Sequence, residues 1–236
     1  LHLLFLALTA VLKRPLQLDV IEGATLIYSN AAALVIPLVR ALLGEEYVVY
    51  SCAFVIVQLI LLWTHCSTSL QGGGAIEWKK ILLNVNLISI VMGAVLFFAH
   101  IPLPGQLLGA LNTMGDMVGP LGMLLAGMAI AESPLKQLFC TRRYYLPVAL
   151  RLIGYPAAVL AVLRLLNAAA WVPDGRSILM TVYLAAITPA CATLTSMAQL
   201  YHRNAAQSSA LYVLSTLLSI VTMPVMIGLF ALAFPV

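Results

Sequence analysis

Apolar residues run along this chain in stretches of about 20, separated by short polar punctuation, and no stretch alternates with the period of two that a half-buried strand needs. A helix rises about 1.5 Å per residue, so about 20 residues cross a hydrocarbon core of about 30 Å. The runs at residues 1–12, 25–43, 47–64, 81–99, 106–130, 145–166, 177–200 and 206–233 therefore predict eight membrane-spanning helices, the first of them short. Connections carry helix-breaking residues: Lys13-Arg14-Pro15, Gly44-Glu45-Glu46, Pro102-Leu103-Pro104-Gly105, Pro173-Asp174-Gly175 and His202-Arg203-Asn204. One longer connection, residues 67–80 with the triplet Gly72-Gly73-Gly74, reads as a flexible linker between residues 1–66 and residues 81–236.

Two runs are interrupted at mid-depth, one from Asn30 to Pro37 and the other from Thr188 to Thr195. Proline removes a backbone donor and clashes with the preceding turn, and hydrocarbon offers no water to satisfy what is broken. Such breaks survive where they are buried in protein or line a cavity, and paired breaks in two halves of a chain point to a transporter binding site. Each is followed by a short amphipathic stretch, a turn and one final apolar run. With alternating spans the two broken helices cross the bilayer in opposite directions, the pattern of an inverted repeat. Half-helix N-termini meeting near the midplane would suit an anionic group.

Composition narrows the class. Hydrophobic residues make up 63% of the chain and charged residues 8%, with a mean hydropathy of +1.05, a balance no soluble domain of this length could cover with polar surface. The fold class is an all-α polytopic membrane protein. Of the twelve basic residues, alternation puts Lys13, Arg14, Lys79, Lys80, Lys136, Arg142, Arg143 and Arg203 on one face. The other face receives Arg40, Arg164 and Arg176, while Arg151 lies within a span. The positive-inside rule makes the rich face cytoplasmic and puts the C-terminus outside a multi-pass plasma membrane protein, in a bacterium the inner membrane. Basic residues so dispersed form no nucleic-acid patch. The four cysteines, Cys52, Cys66, Cys140 and Cys191, have no metal-ligand spacing and read as buried thiols, so no metal or cofactor is expected.

The stretch Tyr28-Ser29-Asn30-Ala31-Ala32-Ala33-Leu34-Val35-Ile36-Pro37-Leu38 resembles the first crossover segment of the auxin efflux carrier family. Gly44, Gly119-Pro120-Leu121, Gly127, Ala131-Glu132, the second crossover Ala185-Ala186-Ile187-Thr188-Pro189-Ala190 and the closing run with Pro224 agree with it in order. The resemblance implies an inverted-repeat transporter of ten helices with two crossing broken helices, about eight of which are present. On that template the chain is a prokaryotic, malate- or malonate-permease-like member that lacks the first two helices and begins in the third. Two departures stand out: Val35 replaces a smaller residue before the Ile-Pro pair, and Thr193, Thr195 and Ser196 stand where plant members tend to have a second proline.

The resemblance makes Asn30 and the backbone beside Pro37 and Pro189 the substrate crossing, with Thr188, Thr193 and Thr195 as further contacts in the second break. The chemistry agrees, because Asn offers two donors and an acceptor that can hold a carboxylate without a permanent countercharge; Asn30 could equally tie the broken helices together. Asp116 is an acid about 10 residues into its span, about 15 Å from the outer end, and reads either as a proton-coupling site or as a hydrated structural acid. Arg151 either snorkels to the headgroups or attracts an anionic substrate. The expected function is a carrier of small organic anions working by elevator-type alternating access. Its partners would be that anion, the bilayer and a homodimer mate. Alternatives are a sodium- or proton-coupled carrier of the bile-acid-symporter type and a non-transporting receptor. No paired deep acids, Ser/His pair or HExxH motif suggests an enzyme.

Overall fold

The computed structural model describes residues 1–72, 83, 85–117, 120–121, 124, 127–128, 131, 135–167, 169, 171 and 173–235. All regular elements among them are helices. Helix α1 (His2–Lys13) precedes α2 (Val20–Ile27) and α3 (Ala31–Leu42). Helix α4 (Val48–Leu61) continues through a π turn, Leu62–Cys66, into α5 (Ser67–Gln71). Next come α6 (Val85–Phe98), α7 (Gly105–Asp116) and α8 (Leu135–Cys140). Helix α9 (Arg142–Ala149) leads through a second π turn, Leu150–Gly154, into α10 (Tyr155–Leu165). The chain ends with α11 (Gly175–Ile187), α12 (Thr193–Leu200) and α13 (Ala205–Ala233). Three continuous helices are long and apolar enough to cross a membrane: Glu45–Gln71, Arg142–Leu165 and Ala205–Ala233.

Local chemistry explains where these elements begin and end. Helix α2 starts at Val20, five residues before the apolar run at residue 25, because Asp19 and Glu22 form a capping box: the Asp19 carboxylate accepts from the Glu22 N–H at 2.7 Å and Glu22 from the Asp19 N–H at 3.0 Å. Helix α3 stops at Gly44, whose φ of +108° no side-chain-bearing residue adopts readily, and α5 at Gly72, with φ +86°. The predicted linker therefore begins at Gly72: residues 67–71 complete the preceding helix, and residues 73–80 lie outside the described residues. The run at residues 106–130 is described as helix over Gly105–Asp116, and most of residues 118–130 also lie outside the described residues. Pro156 has no N–H to return to the turn before it, and there the helix widens to π.

The two halves pack alike. Helix α1 lies on α2 as α10 lies on α11, and α3 on α4 as α12 on α13. Each first half-helix is also covered by the last span of the other half, α2 by α13 and α11 by α4. Buried apolar residues concentrate where these helices meet, among them Leu26, Ile27, Ala31, Leu184, Ile187, Leu194, Val213 and Leu214. Outward-facing Val57, Ile60, Ile153, Ile220 and Leu229, with most of α6 and α7, form the apolar surface a lipid-facing bundle needs.

Candidate functional site

The two broken helices meet at a single antiparallel bridge between Ser29 and Ala190. The Asn30 N–H donates to the Pro189 carbonyl at 2.9 Å, and the Cys191 N–H to the Tyr28 carbonyl at 3.2 Å. Breaking a helix orphans carbonyls on one side and N–H groups on the other, and at bilayer depth each needs a protein partner. Side chains on the following spans supply several. From α4, the Gln58 amide accepts from the Ser29 N–H at 3.1 Å and its hydroxyl at 2.8 Å, and donates to the Ser29 carbonyl at 2.7 Å. From α13, the Ser215 hydroxyl accepts from the Ala190 N–H at 3.1 Å. Gln58 and Ser215 thus hold the two bridge residues from opposite sides.

Arg151 completes the crossing. Its side chain is entirely buried and makes three hydrogen bonds, all to backbone carbonyls: Nη1 to Leu26 at 3.1 Å, Nη2 to Thr188 at 3.0 Å and Nε to Thr188 at 3.2 Å. Those carbonyls sit at the C-terminal ends of α2 and α11. Each helix C-terminus carries roughly half a negative charge, so two of them about balance one guanidinium. The guanidinium carbon also lies 5.3 Å from the centroid of the Phe5 ring of α1. A cation that snorkels would be exposed at its tip. Arg151 instead turns inward, because two converging helix ends attract it more than the headgroup region does, and three of its five N–H donors are committed to the backbone.

The other helix ends are left differently. The N-cap of α3 is Asn30, whose partly exposed side chain makes no capping bond, and the N-cap of α12 is Ala192, which has no side chain to cap with. The α3 end thus starts at the crossing without a side-chain acceptor, whereas at α12 the Cys191 thiol lies beside the Thr193 and Leu194 N–H groups and the Leu194 and Thr195 N–H groups bond the Cys191 and Ala192 carbonyls at 3.3 and 3.0 Å. Thr188 and Pro189 are buried in the second break, with the Thr188 hydroxyl donating to the Ala185 carbonyl at 3.0 Å. Pro37, expected as part of the first break, lies inside a continuous α3; the break itself is residues 28–30. Likewise Thr193 and Thr195 belong to α12, Thr193 exposed and Thr195 with its hydroxyl 3.3 Å from that of Ser208 on α13. Asp116 stands apart at the end of α7, exposed and paired with Arg40 of α3 at 3.1 Å, while Arg40 also bonds Glu45 at 2.7 Å.

Gln58, Ser215 and Ser29 were not singled out by the sequence pattern, although Gln58 is a lone amide within an apolar run and so a visible anomaly. Glu22, which precedes the apolar run at residue 25, was not singled out either; its side chain is buried and gripped at both oxygens by Arg143, 2.6 Å from each. Residues 74–227 match the family model described as membrane transport protein. No curated protein matches the chain.

Proposed function

The chain belongs to the auxin efflux carrier-like family of membrane transport proteins, and we propose that it carries small organic anions across the membrane by elevator-type alternating access. The observation that supports this most is the asymmetry of the crossing. Both C-terminal half-helix ends are neutralised by Arg151, while the N-terminal end of α3 starts at Asn30 without a side-chain cap. Net positive potential is left on the N-terminal side, where a carboxylate can accept from backbone N–H groups and from the Asn30 amide. Thr188 and Pro189 shape the second break behind it, and Pro37, Thr193 and Thr195 line the half-helices that lead away. Asp116, the proton-coupling candidate, enters this reading as a partner of Arg40, which Glu45 holds as well.

The test is uptake of labelled mono- and dicarboxylates into proteoliposomes. Asn30→Ala should lower uptake by about tenfold or more, the loss of one or two hydrogen bonds to a charged group, without changing the melting temperature. Asn30→Asp should lower it further by placing a like charge beside the anion. Undiminished uptake by both variants would refute the reading.

A further inference from the structure

A cavity of about 190 Å³ lies between α1, α2 and the π turn at the foot of α4, apart from the N-terminal ends of α3 and α12. Leu6, Ala10, Val20, Ala24 and Ile27 form its apolar wall, and Lys13, Tyr28, His65 and Ser69 bring polar groups to it. An apolar pocket with a few convergent polar groups is the usual form of a small-molecule site. Lys13 ends α1, and its ammonium forms no ion pair or hydrogen bond with any described residue. Asp19 also lines the cavity, its two oxygens accepting from the Glu22 N–H at 2.7 Å and the Gln207 amide at 2.6 Å, so the Lys13 ammonium has the Asp19 charge to offset as well as that of a bound anion.

The inner end of the cavity is held by a defined pair. The Tyr28 hydroxyl donates to the Leu61 carbonyl at 3.0 Å and lies 2.9 Å from His65 Nδ1. A carbonyl only accepts, so the hydroxyl proton belongs to that bond and the imidazole donates through Nδ1, leaving Nε2 for another partner. His65 rides on a π turn, a departure from α geometry that recurs at functional sites. Tyr28 also flanks the bridge residue Ser29, its carbonyl accepting from the Cys191 N–H at 3.2 Å.

We propose that this cavity binds a small monocarboxylate, with its charge on Lys13 and Ser69 and a short apolar tail against Leu6, Ala10, Ala24 and Ile27. The site is independent of the anion placed at the crossing. An occupant would brace Tyr28 and, through it, one strand of the bridge, so that binding here regulates the break.

The experiment is calorimetric titration of the purified full chain with butyrate and with its neutral isostere butyramide. Butyrate should give saturable heat, and butyramide should bind about tenfold more weakly or worse, as expected for loss of a charge-assisted hydrogen bond. Lys13→Gln should weaken butyrate by a similar factor and Lys13→Arg should restore it. Ala10→Phe should abolish the Lys13-dependent heat by filling the cavity, and Asn30→Ala, which weakens the anion site at the crossing, should leave that Lys13-dependent heat unchanged. Absence of saturable heat, equal binding of butyramide, or unaltered binding by Lys13→Gln and Ala10→Phe would overturn the proposal. Loss of binding in Asn30→Ala alone would move the ligand to the crossing, ending this proposal while leaving that of the carrier intact.

Discussion

Replacing Arg151 by methionine tests the account of the crossing most directly. The substitution keeps most of the side-chain volume and deletes three hydrogen bonds to the Leu26 and Thr188 carbonyls. A buried carbonyl left unpaired costs about 1–3 kcal/mol, so two cost about 2–6 kcal/mol. The burial cost of the cation vanishes with it, and for some buried ions that exceeds what their partners contribute. Here the two helix ends and the Phe5 ring already compensate much of the charge, which leaves a net loss of about 2–4 kcal/mol. At about 2–4 °C per kcal/mol for a chain of this size, Arg151→Met should melt about 4–16 °C below the parent protein.

Thermal unfolding in detergent measures that shift, and thiol labelling with peptide mass spectrometry localises it. Cys191 is 7% exposed and its N–H is part of the bridge, so its maleimide reactivity should rise when the crossing loosens, ahead of the other buried thiol, Cys66. Arg151→Lys should fall between parent and methionine variant, because an ammonium is a point charge that cannot span both carbonyls as a planar fork does. A methionine variant that melts at or above the parent and leaves Cys191 protected would refute the reasoning. The bridge would then be held by its own hydrogen bonds and by Gln58, with the buried cation a net cost.

Gln58→Leu should destabilise the protein by about 2–4 kcal/mol in denaturant titrations, since it leaves the Ser29 N–H, carbonyl and hydroxyl without their common partner. Ser215→Ala removes one acceptor and should cost less, about 1 kcal/mol, in the same assay. Arg143→Ala should destabilise more than Glu22→Gln, because only the first leaves a buried carboxylate unpaired; the double variant should recover most of that loss, and additive effects would refute the pairing. Arg40→Ala should leave the melting temperature unchanged, because its bonds to Asp116 and Glu45 are exposed and screened.

The spans, their short connections and the presence of two breaks were legible in the sequence because each depends on local composition. Residues 206–233 predicted a helix found at Ala205–Ala233, and residues 1–12 one found at His2–Lys13. The positions of the breaks were less legible. Proline reads as a breaker anywhere, yet Pro37 sits inside a continuous helix, while the chain leaves helical geometry at Tyr28, Ser29 and Asn30, of which only Asn30 was marked in the sequence. What decides between them is the supply of partners: Gln58 and the second break satisfy the backbone at residues 28–30, and those groups lie 29 to about 160 positions away along the chain.

Arg151 makes the same point about charge at depth. Its distance from the end of its span fixes how far it sits from the headgroups but not which way it faces, and at that depth snorkelling and inward burial are equally open to sequence reasoning. The converging ends of α2 and α11 settle it, since they offer carbonyls and a compensating dipole that lipid headgroups would offer only after the side chain stretched outward. Gln58, Ser215 and Glu22 each have a specific backbone or charged partner across the bundle. Gln58, Ser215 and Arg151 mark where a backbone is broken or a helix end satisfied. Those three converge on one crossing, and the N-terminal end of α3, which they leave without a side-chain cap, is the end available to an anion.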